Sequence, residues 1–375
     1  MVAADPGQGG ATWAVLQYLL GLAQLGHDVF LLEPVPLKSV QQPFTSLSVS
    51  DNARYFDRVV SRFGIADRSG LLLEGTRETH GSNYLDIERA CRQADLLLNV
   101  SGMLQDESLL ASIPTRVYLD LDPGFNQLWS EVEGINMRFS GHTHHVTIGQ
   151  RIGEPGCLVP TCGLNWIKTL QPVVLNHWPA ASPSDDEGEF LTGVGNWRGY
   201  GSIQHNGIRY GQRAHSFRQF FDLPMRTEER FLMALSIHPE ETADLQALAT
   251  NRWRLVDPAK VAGTPDSYQQ FIKSSRAEFG VAKSGYVESR CGWFSDRSVC
   301  YLASGRPVIA QETGFSDFLP VGDGLLAFHD TSSALEAIDQ LRSRYRHHRG
   351  MARVLAEDYF DSDKVLPQLL EKVGL

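Results

Sequence analysis

Residues 295–328 read SDRSVCYLASGRPVIAQETGFSDFLPVGDGLLAF, and this stretch decides the fold class. Ser295 is a good N-cap, so the sequence predicts a helix over 295–304. Short apolar runs then predict strands over 307–310 and 324–328, on either side of a glycine-containing turn. A helix followed by short buried strands is typical of an α/β protein with a parallel sheet.

The same alternation of elements extends toward both ends of the chain. A turn-rich loop over 5–10 precedes an apolar helix over 11–25, which Gly26 ends. The remaining predicted strands cover 28–33, 95–100, 115–121, 144–148, 189–194, 230–236, 253–256 and 278–282. The remaining predicted helices cover 52–63, 240–249, 265–274, 332–346 and about 350–372. The continuous apolar runs among the strands suit a sheet that is covered on both faces.

The chain divides into two halves of similar size. With 375 residues it exceeds one ordinary core and fits two domains of roughly 150–200 residues. A proline-rich stretch over 163–188, with the acidic run Asp185-Asp186-Glu187, separates two series of strands and helices. The predicted parts are an α/β domain over 1–170, a second over 171–355 and a C-terminal helical segment over 356–375.

Charge and composition narrow the function classes. The net charge is −10, and because free nucleic-acid binders are usually basic, we expect no nucleic-acid partner.

The five cysteines include no Cys-x-x-Cys pair, so we expect no zinc site and reduced thiols in a cytoplasmic protein. The apolar stretch 13–25 is too short to cross a bilayer, so we expect no integral membrane contact. Residues 1–4 resemble the end of a buried strand whose beginning is missing, so we expect either a late start codon or a trimmed N-terminus.

Three glycines, Gly7, Gly9 and Gly10, directly precede the first helix. Such a loop lets a ligand approach the backbone, and a helix N-terminus favours anions. An NAD site needs a third glycine where this chain has Thr12, although Glu33 stands where the ribose-binding acid of NAD proteins would be. An NAD site and a simple turn without ligand both stay open as alternatives.

Two segments carry a family resemblance. PGQGGATWAVLQYLLGLAQLGHDV, residues 6–29, is similar to the opening of GT-B glycosyltransferases, with a Gly-His-x-Val turn at 26–29. Residues 295–328 resemble the sugar-donor region of the same class, closest in pattern to glycosyltransferase family four. The matching residues there are Ala303, Gly305, Pro307, Val308, Gly314, Gly324 and Leu325. The resemblance implies two Rossmann-like domains that face a cleft, with a C-terminal helix crossing back to the first.

The resemblance also implies a site. The second domain would bind a nucleoside diphosphate sugar without a metal ion, because a helix N-terminus and basic side chains neutralise the pyrophosphate. The implied donor-binding residues are Gly195, Asn196, Trp197, Arg198, Lys283, Ser295, Asp296, Arg297, Gly314, Phe315, Ser316 and Asp317. The implied acceptor-cleft residues are Gly9, Gly10, Thr12 and Trp13. No cofactor beyond the nucleotide sugar is expected.

The chain departs from both family patterns at their catalytic positions. Family four usually has two glutamates eight positions apart, and these fall on Gly292 and Cys300. Family one has a histidine where this chain has Gly10. Neither set of catalytic residues can therefore be transferred, and Asp296 is the substitute candidate for the ribose contact.

Candidates for acid–base chemistry come from the first half. Asp120 and Asp122 close a predicted strand, where a carboxylate could accept a proton from an acceptor hydroxyl. The alternatives are a capped turn before Pro123, or a metal-binding Asp-x-Asp pair. His142 is a third candidate, with cleft lining, metal binding and ordinary packing all open.

We therefore predict a metal-independent, hexosyltransferase-type enzyme that moves a sugar from a nucleotide sugar to a small-molecule or glycan hydroxyl. Two alternatives remain: a sugar-nucleotide epimerase of the same fold, and a sugar-nucleotide binding protein without activity. The nucleobase, the sugar, the acceptor and the oligomeric state stay open at this level.

Overall fold

The computed structural model describes residues 1–40, 46–181 and 188–375. The acidic run at 185–187, part of the predicted boundary, lies outside the described residues. Within the described parts of the chain, none of the helices combines the length and the apolar character needed to span a membrane.

The first half is an α/β unit. Its helices are α1 (Gly9–Gln24), α2 (Asp51–Phe63), α3 (Tyr84–Gln93), α4 (Glu107–Leu110) and α5 (Phe125–Val132). Its strands are β1 (Leu31–Val35), β2 (Ser69–Leu73), β3 (Thr79–Gly81), β4 (Leu96–Val100), β5 (Thr115–Asp120), β6 (His144–Thr147) and β7 (Trp166–Lys168). They form two sheets, β1-β2-β3 and β4-β5-β6-β7, in which only β2 and β3 pair in the antiparallel sense.

The N-terminal residues are irregular rather than extended, but they are buried. The backbone N–H groups of Val2, Ala3 and Ala4 donate to the carboxylate of Glu33 at 2.9–3.0 Å. A carboxylate that accepts three backbone hydrogen bonds is already satisfied. Glu33 therefore ties the N-terminus to β1, which speaks against the ribose role that an NAD site would give it.

The second half is built around one parallel sheet. Its helices are α6 (Arg213–Phe217), α7 (Thr242–Thr250), α8 (Pro258–Ala262), α9 (Pro265–Lys273), α10 (Ser284–Ser289), α11 (Asp296–Ala303), α12 (Thr331–Ser343), α13 (Tyr345–Leu355) and α14 (Ser362–Lys372). Its strands are β8 (Phe190–Asn196), β9 (Ile203–His205), β10 (Ile208–Tyr210), β11 (Arg230–Ser236), β12 (Arg254–Val256), β13 (Ala277–Gly280), β14 (Val308–Gln311) and β15 (Leu325–Phe328). Strands β9 and β10 form a separate hairpin.

The six-stranded sheet has the order β12-β11-β8-β13-β14-β15, and all its pairs are parallel. When only the six strands of this sheet are numbered along the chain, this is the 3-2-1-4-5-6 order of a Rossmann fold. The prediction of an α/β fold with Rossmann-like halves is confirmed. Ser295 caps α11 as predicted, accepting a hydrogen bond from the backbone N–H of Arg297 at 3.2 Å.

The chain passes between the halves twice, and the two passages lie side by side. The N–H of Val173 donates to the carbonyl of Phe360 at 2.7 Å, and the N–H of Ser362 donates to the carbonyl of Val173 at 3.0 Å. Beyond this crossing, α14 packs on the first half. Gly21 of α1 lies so close to Leu366 that a Cβ at that position would be 2.5 Å from Leu366 Cδ1.

Candidate functional site

The carboxyl ends of the central strands of the second half face the carboxyl end of β5. Strand β8 lies between β11 and β13, so the strand order reverses beside it. In open parallel sheets, ligands bind outside the carboxyl ends of the strands at such a reversal. Asp122, just beyond β5, contacts Lys283, just beyond β13, across this gap between the halves. We call this gap the cleft and take it as the candidate site.

Arg213 is a buried cation at the cleft for which the described residues supply no salt-bridge partner. It begins α6 and is only 7% exposed. Its Nη1 donates to the carbonyl of Val281 at 2.7 Å, whereas its Nε has no hydrogen-bond partner in the described part of the chain. Gly195 makes room for it, since a Cβ there would be 2.9 Å from Nη2. Burial, and then the charge of Arg297, lowers the pKa of Arg213 to about 9.

Lys283 lies at the centre of a polar cluster that joins the halves. Its Nζ is 3.1 Å from each carboxylate oxygen of Asp122 and 3.1 Å from the Tyr286 hydroxyl, and it also contacts the Tyr200 hydroxyl. The Tyr200 hydroxyl donates to Asp122 Oδ2 at 2.6 Å, and the Tyr286 hydroxyl donates to Oδ1. Burial lowers the pKa of Lys283, while Asp122 opposes the shift. Three hydrogen-bond donors of the second half thus hold one carboxylate of the first.

Arg297, in contrast, is already neutralised. Its Nε donates to Glu278 Oε1 at 2.6 Å, and its Nη1 donates to the carbonyl of Val194 at 2.8 Å. Glu278 is completely buried in β13. The pair fastens the N-terminus of α11 to the sheet, so a phosphate contact by Arg297 would add to an existing ion pair.

A small pocket lies at the N-terminus of α11. Ser295, Arg297 and Phe315 of the predicted donor set line it, together with Trp293 and Gln311. A helix N-terminus with free N–H groups suits an anion. Three of the predicted donor-binding residues are therefore together. Asp296, the candidate ribose contact, is half-buried beside them, and burial raises its pKa.

The predicted donor-binding residues at the end of β8 and just after it do not line this pocket. The Trp197 ring is buried in the core of the second half, and its Nε1 donates to Asp244 Oδ2 at 2.8 Å. The Arg198 guanidinium forms an ion pair with Glu241. Asn196 ends β8 and is exposed. Gly195 is the one of these four predicted residues that packs on Arg213. Arg213 itself was not among the residues predicted from the sequence.

A loop from the first half covers the predicted sugar cradle at Gly314–Asp317. Arg151 forms an ion pair with Asp317 and packs on Gly314, where a Cβ would be 2.7 Å from Arg151 Cδ. Phe315 is buried, and the N–H of Ser316 donates to Glu312 at 3.4 Å. These predicted residues line an interface between the halves in this structure, and a sugar contact by them stays a prediction.

The predicted acceptor residues also lie at an interface. Trp13 is buried and its Nε1 donates to the carbonyl of Pro265 in the second half at 2.9 Å. Thr12 is buried and its hydroxyl lies 3.1 Å from the Tyr55 hydroxyl. A Cβ at Gly10 would be 2.9 Å from the ring of Tyr268, and Gly9 is packed equally tightly. The observed role of all four is packing, so contact with an acceptor stays a prediction that requires the halves to part here.

Asp120 and Asp122 have different settings. Asp120 is completely buried and its carboxylate accepts hydrogen bonds from Asn126, Gln127 and Thr147 at 2.7–2.8 Å. Burial raises its pKa to about 6, against the effect of these bonds. Asp120 thus orders the turn that carries Asp122, whose side chain is 28% exposed and reaches the cleft. Of the two, Asp122 is the one placed for chemistry.

Both ring nitrogens of His142, the third catalytic candidate, are occupied. Nε2 is 3.0 Å from the amide of Asn99 and Nδ1 is 3.2 Å from the carbonyl of Phe139. The ring packs edge-on against Tyr118, and burial lowers its pKa. This arrangement matches the packing alternative, and a catalytic role for His142 stays a prediction.

The Asp-x-Asp alternative finds no support in this geometry. Asp120 is surrounded by hydrogen-bond donors, and Asp122 is paired with the Lys283 ammonium. Across the residues that the structure describes, no three His, Cys, Asp or Glu side chains are grouped as they would be to hold a metal ion.

Comparison with solved structures identifies the architecture. The chain is similar to alpha-glucosyltransferase in complex with UDP-glucose and DNA containing an abasic site, with 14% identity, a TM-score of 0.61, and coverage of 99% of this chain and 97% of that one. It is similar to sucrose-phosphate synthase from Thermosynechococcus elongatus, with 11% identity, a TM-score of 0.55, and coverage of 99% and 96%. A glycosyltransferase from Rickettsia africae matches with 9% identity, a TM-score of 0.54, and coverage of 97% and 94%. The fold is that of the GT-B glycosyltransferases. No family model and no curated protein sequence matches the chain.

One prediction from composition is wrong. The net charge of −10 led us to exclude a nucleic-acid partner, yet several structures with this fold are complexes of alpha-glucosyltransferase with DNA. Net charge sums the whole surface, whereas binding depends on the local field around one site. The overall acidity of the chain is therefore no ground for excluding nucleic acid.

Proposed function

We propose that the chain transfers a hexosyl group from a nucleoside diphosphate sugar to an acceptor hydroxyl, without a metal ion and with no cofactor beyond the nucleotide sugar. The observation that carries this proposal is Arg213, a buried guanidinium whose Nε has no hydrogen-bond partner among the described residues, next to Lys283 at the carboxyl ends of β8 and β13. Burying a cation without a partner is costly, so such a site favours an anionic ligand.

The charges at the cleft support a diphosphate as this ligand. The Arg297–Glu278 pair is neutral. Of the two other cations, Lys283 pairs with Asp122, whereas no salt bridge to Arg213 is formed by the described residues. When the bond to the sugar breaks, the electron pair leaves with the diphosphate, and fixed cations stabilise the developing charge. Arg213 and Lys283 would do this without a metal ion.

The fold supports the same choice of ligand. One GT-B neighbour is described as alpha-glucosyltransferase in complex with UDP, and another complex of it holds UDP-glucose, so UDP is the first nucleotide to test. Membership of family four is part of the proposal and rests on the motif over 303–325. At the positions of that family's glutamates, Cys300 is buried beside Gln17, and Gly292 packs on Arg151. The ribose and sugar contacts must therefore come from other residues.

Asp122 is the base in this proposal. As the acceptor oxygen bonds to the anomeric carbon, its proton passes to a carboxylate oxygen of Asp122. The acceptor class is left open to test, because the GT-B neighbours include a DNA complex and a sucrose-phosphate synthase. A cytoplasmic location is also part of the proposal, and the five free cysteines favour it.

The first experiment is a thermal-shift screen with UDP, TDP, GDP, ADP and NAD, each with and without EDTA. A ligand that binds only the folded state raises the melting temperature. We expect a shift with one nucleoside diphosphate that EDTA does not change. A shift with NAD alone, or one that EDTA abolishes, would contradict the proposal.

The second experiment separates transfer from its alternatives. UDP-glucose is incubated with the protein and with glucose, fructose 6-phosphate or an oligonucleotide that contains an HMU base. Transfer predicts UDP release that depends on one acceptor. An epimerase would convert the nucleotide sugar without an acceptor, and a binding protein would leave it unchanged.

A further inference from the structure

The carboxylate of Asp122 sits in a ready-made oxyanion site of the second half. Its two oxygens meet the Lys283 ammonium at 3.1 Å each, and they accept hydrogen bonds from the hydroxyls of Tyr200 and Tyr286. All three groups can donate hydrogen bonds, and none of them belongs to the same half as Asp122. The hydrogen-bonding requirements of a carboxylate are close to those of a phosphate.

The surroundings hold these donors in place. The Lys283 ammonium lies 4.4 Å from the ring centre of Tyr200 and 5.0 Å from that of Phe125. Tyr286 stacks on Trp293 with ring centres 4.3 Å apart. The lysine is only 21% exposed, and both tyrosine rings pack on Phe125, so the three donors are held around one anion in this structure.

A charge count indicates that Asp122 and a diphosphate exclude each other. A sugar-linked diphosphate carries about two negative charges at neutral pH, which would balance Arg213 and Lys283. If Asp122 stayed, its charge and those of the diphosphate would face only these two cations in a half-buried cluster. Bringing like charges together in a poorly hydrated site is unfavourable, so one of the two anions must leave.

We propose that Lys283, Tyr200 and Tyr286 form the binding site for one phosphate group of the sugar donor, and that Asp122 is its resident competitor. This inference rests on the proposed function. Asp122 latches the halves together while the site is empty of nucleotide. Donor binding displaces it, which frees the carboxylate to face the acceptor.

The test measures the affinity for UDP and for inorganic pyrophosphate by titration calorimetry at low ionic strength. Asp122→Asn keeps the shape of the side chain and removes its charge, so we expect UDP to bind about tenfold more tightly than to the wild type. Asp122→Ala is a second variant with the same expected direction. Melting curves recorded in parallel show that each variant is folded.

The matched control is Asp266→Asn. Asp266 pairs with Arg62 across the two halves at 3.1 Å and is well exposed, so this variant loosens the interface without touching the cluster. We expect its affinity for UDP to equal that of the wild type. If Asp266→Asn bound UDP more tightly than the wild type, as Asp122→Asn is expected to, loosening of the interface alone would explain the tighter binding. The inference would then fail.

A second measurement concerns the tyrosines. In the Asp122→Asn background, Tyr286→Phe should weaken UDP binding by about fivefold or more, because a hydrogen bond to a charged group is lost. Equal or weaker UDP binding by both Asp122 variants, with normal binding by the wild type, overturns this inference alone. No nucleotide binding by any folded form overturns the proposed function as well.

Discussion

At the scale of single residues, two arginines near the same edge of the sheet differ in burial and in ion pairing. Arg213 is buried and forms no salt bridge with any described residue, whereas Arg198 is paired with Glu241 near the surface. We expect Arg213→Gln to weaken UDP binding by about tenfold or more, because it removes a cation that is available for an anionic ligand.

Arg198→Gln is the matched control for that prediction, and we expect less than about a twofold change, since an exposed ion pair contributes little. Titration calorimetry with UDP measures both variants. A larger loss of UDP affinity in Arg198→Gln than in Arg213→Gln would indicate that Arg198 contacts the phosphates, as was predicted from the sequence.

Asp120 is expected to matter for stability rather than chemistry. Asp120→Ala would leave the buried donors of Asn126, Gln127 and Thr147 without an acceptor. We expect the free energy of unfolding to fall by about 2–4 kcal/mol, measured by urea denaturation. Asp67→Ala, at an exposed position, should stay within about 0.5 kcal/mol of the wild type. A small effect of Asp120→Ala would show that the turn does not depend on this carboxylate.

At the scale of elements, two helical glycines have different roles. Gly9 begins α1 against the second half, and a Cβ there would clash with the carbonyl of Thr264 and lie 2.6 Å from that of Ala262. Because backbone atoms cannot move aside cheaply, we expect Gly9→Ala to destabilise the protein by about 2 kcal/mol or more.

Gly350 lies in α13, is exposed, and has no atom within 4 Å of an added Cβ. Gly350→Ala should stabilise the protein by about 0.5–1 kcal/mol, because alanine loses less backbone entropy in a helix. Urea denaturation of both glycine variants checks the pair. A neutral Gly9→Ala would mean that the halves do not pack at this loop in solution.

The hairpin β9–β10 shows a signal that sequence analysis overlooked. Asn206 and Gly207 form its two-residue turn, with φ values of 50° and 77°. Asn-Gly between short apolar runs is a strong predictor of such a turn, because both residues tolerate a positive φ. The hairpin follows Tyr200 directly and leads to Arg213, so recognising it would have drawn attention to both.

At the scale of the whole molecule, one buried and three half-buried histidines are expected to govern the response to acid. Burial lowers the pKa values of His142, His177, His215 and His348 below 6.5. Below that pH the unfolded chain binds protons that the native state does not, so stability falls as the pH drops from about 7 to 5. The raised pKa values of Asp120 and Asp296 act in the opposite direction, but they are two groups against four.

We expect the melting temperature to fall by about 2–4 °C between pH 7.5 and 5.5. His348→Gln should reduce this slope, because a glutamine oxygen can accept the Gly324 N–H that His348 Nδ1 accepts at 3.1 Å. Thermal melts followed by circular dichroism at a series of pH values measure the melting temperature of the wild type and of the variant. A melting temperature that is flat or rises with acid would contradict the lowered pKa values of these four histidines.

The sequence by itself determined the class of fold and the position of most elements. Strand β11 coincides with its predicted range, and the motif over 295–328 forms the capped helix and two strands expected of it. Such features depend on local periodicity, capping and turn chemistry, which neighbouring residues decide among themselves.

Only the tertiary structure decided the site. Lys283 and Asp122 were both candidates from the sequence. Their pairing depends on contacts between distant segments, as do the hydrogen bonds from the two tyrosines. The burial of Arg213 also depends on such contacts. The packing of Gly9 and Trp13 on the second half is of the same kind. Whether a charge is compensated or a ring is buried depends on which residues lie nearby in space, and one sequence read along its length does not contain that information.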